Sequence, residues 1–224
     1  MRRIVKSHPP KELADWCGEN RELNHGYRHL LGTVAHRALK SKLLEEQGWL
    51  CAYTGRTIDQ ETSHVEHIKP QCECLEWEDV DYRNVLACFP ADGGDTSHGY
   101  GAPVKAGWWD KQRFVSPLSV DCERRYRFAW SGHVHPASDA HEDTKSTIAV
   151  LRLDAESLRR LRKARIDGFF GFGQRSSQKP LSIAQARTAL ASIDRLNSDG
   201  QLQEFCFVIS QLLKRYIESS GSPK

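Results

Sequence analysis

The 224-residue chain contains no apolar run approaching the roughly 18 residues that a membrane-crossing helix needs. Nor does an apolar stretch follow the charged opening Met1-Arg-Arg-Ile-Val-Lys-Ser-His8, so no secretory signal is expected. Both absences argue against membrane and exported proteins, and the expected location is cytoplasmic. Seven cysteines, an odd number without a signal, do not describe a disulfide framework. In a reducing compartment they are buried small hydrophobes or metal ligands. Internal repeats and low-complexity tracts are missing too. So is the Gly-x-x-x-x-Gly-Lys-Ser/Thr loop that cradles nucleotide phosphates: Gly168-Phe-Phe-Gly-Phe-Gly173 lacks the lysine, and its aromatics suit packing.

What is present is a soluble, globular balance, 39% apolar and 27% charged. The net charge of +3 is too small to demand a polyanionic partner, but its distribution is uneven. Between Asp59 and Asp81 stand eight acidic residues against one lysine, Lys69; between Arg152 and Arg165 stand six basic residues against Asp154 and Glu156. Such runs are ordinarily solvated faces. An acidic stretch beside a basic helix also suits a protein that holds a metal in one place and a phosphate backbone in another.

Three regions follow one another. Residues 1–48 read as helical: Pro9-Pro10 introduce a helix at Lys11, and Val34, Ala35, Ala38, Leu39, Leu43 and Leu44 predict another from about Thr33 to Gln47, ended by Gly48. Residues 49–136 break into short apolar pieces. There Tyr126, Phe128 and Trp130 alternate with Arg125 and Arg127 before Ser131-Gly132, which predicts a strand running into a turn. Residues 137–224 read as mostly helical. The pattern predicts a polar loop to Ser146, a short strand from Thr147 to Leu153, and a helix capped by Asp154 and interrupted by Gly168, Gly171 and Gly173. Two further helices are expected between Ser182 and Ile217, parted around Ser198-Asp-Gly200, with a tail from Ser219. Cys17 and Cys206 fall in helical patterns and read as core.

The chemistry-bearing residues crowd the middle region: Cys51-Ala-Tyr-Thr-Gly55, His64-Val-Glu-His-Ile-Lys-Pro70, Asn84-Val-Leu-Ala-Cys88 and His98. This constellation resembles the HNH (ββα-metal) endonucleases. The core of that family is a hairpin bearing an acidic residue or histidine followed by histidine, a loop bearing asparagine, and a helix bearing a metal ligand. Glu66-His67-Ile68-x-Pro70, Asn84-x-Leu86 and His98 match these in turn, over about fifty residues from Cys51 to Lys105. The resemblance implies an α+β fold, with a ββα-metal HNH core flanked by N-terminal and C-terminal helices. It implies Glu66 as ligand of one Mg²⁺ or Mn²⁺ ion, His67 as general base, Asn84 as the residue that holds the hairpin and the His67 ring, and His98 as second ligand. Asp95 is a substitute ligand, because Asp92-Gly-Gly-Asp-Thr-Ser97 lengthens the loop before His98. His64, two residues before Glu66, shares its strand face and is a further metal candidate.

These residue types suit the reaction. Phosphodiester hydrolysis at neutral pH needs a base to activate water and a cation to absorb charge on the phosphorane and leaving oxygen. Histidine has the proton affinity for the base, and a hard carboxylate with one imidazole favours Mg²⁺ or Mn²⁺ over a closed zinc site. Many HNH proteins also carry a structural zinc on two Cys-x-x-Cys knuckles. Here Thr54 and Ala91 replace the second cysteines after Cys51 and Cys88, and Cys72-Glu-Cys74 has poor reach to complete the set, so no structural zinc is expected. Cys51 and Cys88 are expected to pair as hydrophobes. Lys69, Lys105, Lys111 and Arg113 are expected to grip phosphates without sequence preference, and Arg125 and Arg127 to continue that groove. The Arg159–Arg165 cluster suits either nucleic acid or an acidic partner.

The resemblance extends to the PtuB family, the HNH subunits of Septu-type and retron-associated bacterial anti-phage systems. It is carried by Met1-Arg-Arg-Ile-Val-Lys6, a helix running into Cys51-Ala-Tyr-Thr-Gly55, Glu66-His-Ile-Lys-Pro-Gln71, and the segment from Pro117 through Tyr126-Arg-Phe128 to Gly132. It implies a PtuA-like ATPase of the ABC/SMC type as partner, in some systems with a retron reverse transcriptase and its multicopy single-stranded DNA (msDNA). The favoured expectation is thus a metal-dependent nuclease in a defence complex. The alternative is a non-catalytic nucleic-acid-binding or adaptor subunit on a degenerate HNH scaffold, which the broken knuckles suggest and the intact Glu66, His67 and Asn84 oppose. A third reading makes the terminal helices an ATPase-docking device that holds the nuclease inactive.

Overall fold

A computed structural model describes residues 1–23, 26–172 and 181–219; Gly173 and the tail beyond Ser219 lie outside them. Helix α1 (Lys11–Glu19) begins directly after Pro10, where a missing amide costs nothing. A single turn, α2 (Tyr27–Leu30), precedes α3 (Val34–Glu46), whose cap Thr33 accepts from the His36 amide at 3.1 Å. Leu39, Leu43 and Leu44, spaced for one helix face, are fully buried.

Two antiparallel strand pairs follow. β1 (His64–His67) pairs with β2 (Val85–Cys88), setting Glu66 opposite Leu86 and His67 opposite Val85. After a four-residue helix, α4 (Ala102–Lys105), β3 (Tyr126–Phe128) and β4 (Val134–Pro136) form a hairpin. Tyr126 and Phe128 are buried and Arg127 is exposed, as the alternation predicts.

Four helices complete the chain: α5 (Glu142–Val150), α6 (Glu156–Phe170), α7 (Ile183–Ser192) and α8 (Cys206–Glu218). The strand expected from Thr147 is instead the end of α5. The β-branched Thr147 is accommodated because its hydroxyl donates to the Asp143 carbonyl at 2.8 Å and accepts the Val115 amide at 2.8 Å, so tertiary bonding outweighs strand propensity. Asp154 does not cap α6 either. Its carboxylate accepts the Val134 amide at 3.0 Å and lies 3.0 Å from His133 Nδ1, tying α6 to the hairpin. Gly168 sits inside α6, and Gly171 ends it in the left-handed region at φ 72°.

The architecture is α+β, helices with small antiparallel sheets. One hydrophobic cluster draws on all three stretches of chain, with Leu39, Leu86 and Leu212 among its fully buried members. Among the described residues no helix is long and apolar enough to cross a membrane.

Candidate active site

Alternation along β1 sends His64 and Glu66 to a half-buried face and Val65 and His67 to the packed one. His67 is only 5% exposed. Its Nε2 lies 2.8 Å from the Asp79 main-chain carbonyl, which can only accept, so Nε2 carries the proton and Nδ1 the lone pair. The ring abuts the edge of Tyr27, centroids 4.4 Å apart. Tyr27 is in turn fixed through its amide to Asp79 Oδ2 (3.0 Å) and its hydroxyl to His36 Nε2 (3.2 Å). The short helix α2, too brief for any periodic signal, therefore forms one wall of the histidine. Burial holds the His67 pKa below its ordinary value against the opposing pull of the Asp79 carbonyl and the Glu66 charge, leaving a neutral imidazole at pH 7.

On the other face, Glu66 Oε1 accepts from Lys105 Nζ at 3.0 Å and from the Tyr53 hydroxyl at 3.4 Å. Lys105 also donates to the His67 carbonyl at 2.9 Å. Glu66 Oε2 faces His64 Nε2 at 3.5 Å, while His64 Nδ1 donates to the Pro90 carbonyl. A neutral His64 thus turns a lone pair toward a carboxylate. Two such donors repel unless a cation lies between them. A proton is one answer: burial works against it, but Glu66, the Pro90 carbonyl and the Asp92 charge together lift the His64 pKa above its ordinary value. A divalent ion is the other. One carboxylate beside one imidazole whose second nitrogen is anchored is a donor pair that fits Mg²⁺ or Mn²⁺ with open positions. Among the described residues no group of three or more His, Cys, Asp or Glu side chains stands ready to hold a metal.

The structure does not bring His98 or Asp95 to this pair. The Asp95 carboxylate turns back on its own loop, accepting from the Ser97 amide and hydroxyl at 2.8 Å each. Both His98 ring nitrogens face main-chain carbonyls, of Asp95 at 3.0 Å and Tyr100 at 3.1 Å. The residue of the following helix that meets Glu66 is Lys105. Asn84 clamps the connection between the strands: its Oδ1 accepts the Lys69 amide at 2.8 Å, and its Nδ2 donates to the carbonyls of Lys69 (3.1 Å) and Glu78 (3.0 Å). It holds the loop that follows His67 and bonds nothing on the ring itself. Cys51 and Cys88 are buried and hydrogen-bonded to each other beside Thr54, whereas Cys72 is exposed and Cys74 Sγ donates to the Lys69 carbonyl at 3.3 Å.

Of the expected phosphate grips, Lys105 is displaced from that role by its 2% exposure and its bond to Glu66. Lys69 pairs with Glu78. Lys111 and Arg113 are exposed, with no ion-pair partner among the described residues. Lys69, Arg83, Asn84, Trp109, Lys111 and Arg125 line a cleft of about 840 Å³ beside the loop that follows His67. The basic helix is largely self-paired: Arg160 with Glu156, Lys163 with Asp167, and Arg162 buried against the Gly132 carbonyl at 2.6 Å. It is a solvated face with its own counterions.

No protein-family model matches the chain, and no curated protein matches it. Function has to be read from its own residues. Sequence patterning missed Tyr27, Tyr53, Asp79 and the role of Lys105. Only the lysine carried a signal, as the lone cation of a helix directly after the His98 loop.

Proposed function

We propose that the protein is a metal-dependent HNH-type endonuclease that hydrolyses nucleic-acid phosphodiester bonds. The observation that carries this reading is a buried, neutral His67 whose Nε2 is anchored on a carbonyl, next in sequence to a Glu66–His64 donor pair. His67 Nδ1 would take the proton from the attacking water. Glu66 and His64 would hold Mg²⁺ or Mn²⁺, which when bound supplies charge neutralisation at the phosphorane and the leaving oxygen. Lys105 fixes both catalytic positions at once, through the Glu66 carboxylate and the His67 carbonyl. Asn84 keeps the loop after His67 in register, and Arg83 and Lys111 offer cations to flanking phosphates along the cleft. By its resemblance to the PtuB family, the nuclease is assigned to a bacterial anti-phage complex with a PtuA-like ATPase, in some systems with a retron reverse transcriptase and msDNA.

A second reading, a nucleic-acid-binding subunit without catalysis, draws on one observation: the Lys105 ammonium already neutralises Glu66. Plasmid nicking and RNA cleavage with Mg²⁺, Mn²⁺ or EDTA, alone and with the ATPase, separate the two. The nuclease reading expects metal-dependent cleavage that His67→Ala lowers by about 10²–10⁴-fold while nucleic-acid binding persists. Because burial depresses the His67 pKa, the acid limb of kcat/KM should fall below pH 6.5, the ordinary value for histidine. Absence of cleavage with the partner present assigns the chain to the second reading, and cleavage that survives His67→Ala removes His67 as the base.

A further inference from the structure

A second cleft, of about 1040 Å³, lies between the β3–β4 hairpin and the end of α8, just above the roughly 300–1,000 Å³ typical of ligand pockets. Its walls include Arg127 and His135, directly opposite each other in the hairpin register, Trp130, and Arg215 of α8. Gln211 bonds the edge of β3 and Arg215 follows it by four residues, so the same face of α8 that docks the hairpin carries the arginine to Trp130. The guanidinium carbon sits 5.9 Å from the Trp130 ring centroid. Trp130 is braced edge-to-face by Phe170 (4.9 Å), Phe172 (5.6 Å) and Tyr216 (6.2 Å).

Arg127 and Arg215 have no carboxylate or carbonyl partner among the described residues, although the acidic Asp139 and Glu218 line the same cleft. Burial and the neighbouring Arg127 charge both disfavour a charged Arg215, with Glu218 opposing them from outside ion-pair range. Two like charges in one concave wall, with no direct ion pair to offset them, are a cost that a phosphate-bearing ligand removes. A braced indole beside them takes a stacking partner, which an unpaired base supplies and a duplex does not.

We infer that this cleft binds a single-stranded nucleic-acid segment, with phosphates on Arg127 and Arg215 and a base against Trp130. The site shares no lining residue with the nuclease cleft and does not rest on the nuclease reading.

The test is fluorescence anisotropy of short labelled single strands, DNA and RNA in separate arms, with EDTA present, on wild type, His67→Ala and the double variant Arg127→Ala/Arg215→Ala. His67→Ala should bind as wild type, which separates this site from catalysis. The double variant should lose at least about tenfold in affinity, and its log–log salt slope should fall by about 1.4, roughly 0.7 per single-strand phosphate contact. The pair Arg127→Lys/Arg215→Lys keeps the charge and should retain most of the salt slope, so a folding defect in the alanine variant cannot imitate the result. Unchanged affinity and slope in the double variant would overturn the site. A matched duplex that binds more tightly than the single strand removes the stacking contact and with it the inference. Equal competition by a polyglutamate peptide of the same charge reassigns the cleft to an acidic protein.

Discussion

The two strand pairs solve the same problem in the same way and then diverge. Each has an open edge, and in each a helix glutamine stands in for a missing strand. Gln47, after α3, donates to the Ala87 carbonyl and accepts the Ala87 amide, both at 2.8 Å, and Gln211 of α8 donates to the Tyr126 carbonyl at 2.8 Å and accepts the Phe128 amide at 2.7 Å. Around β1–β2, however, the charged groups are matched internally: Lys105 with Glu66, His67 with a carbonyl, Asn84 with the loop. Beside β3–β4, Arg127 and Arg215 share a cleft with no ion-pair partner among the described residues. The first network is closed on itself, while the second leaves two arginines open.

Breaking the closed network should have the largest effect. Lys105→Ala removes a buried ammonium and leaves the half-buried Glu66 carboxylate without it, and should cost about 3 kcal/mol, read by urea denaturation. Adding Glu66→Gln should restore part of that loss; strict additivity of the two changes would show that the pair is not a unit. Next comes the glutamine comparison. Gln47 is 3% exposed, so Gln47→Ala leaves dry backbone groups unpaired and should cost about 2–3 kcal/mol. Water can reach the half-buried Gln211 site, so Gln211→Ala should cost about 1 kcal/mol. Equal losses would erase the distinction between a sealed and an accessible edge.

The smallest effect lies on the flank of the first pair. Lys6 Nζ lies 4.0 Å above the Tyr82 ring without a hydrogen-bond partner, and burial lowers its pKa from 10.5 to about 7 despite Glu46 and Asp81. The folded state therefore binds fewer protons than the unfolded state between those values, and stability should rise with pH across that window. Lys6→Met should raise Tm by a few degrees at pH 6 and lose that advantage as pH approaches 10.5. A pH-independent shift would mean that the lysine is already solvated.

Much of this architecture was legible in local pattern. Pro10, Thr33 and the leucines of α3 announced their helices, and Tyr126, Phe128 and the turn at Gly132 announced the hairpin, because caps, periodicity and turn residues act over a few positions. Thr147 misled for the opposite reason. Its helix is stabilised by a bond to the Val115 amide, thirty-two residues away, which no window of sequence displays. The candidate site divides along the same line. The face shared by His64 and Glu66 follows from strand alternation, whereas the turning of His98 and Asp95 into their own loop depends on local bonds among Asp95, Ser97 and Tyr100 that a spacing rule does not weigh.

Residue order by itself determined which groups are chemical neighbours along a strand: His67 after Glu66, His64 two before it, aromatics alternating with arginines in β3. Tertiary structure decided which partners those groups meet. Lys105 reaches Glu66 across thirty-nine residues, and the Asp79 carbonyl selects the His67 nitrogen that keeps the proton. The indole of Trp130 comes to face Arg215 only because Gln211 seats α8 on the edge of β3. The reason is physical: backbone geometry repeats over two to four residues and can be read locally, but charge compensation and burial are set by whatever the chain packs alongside.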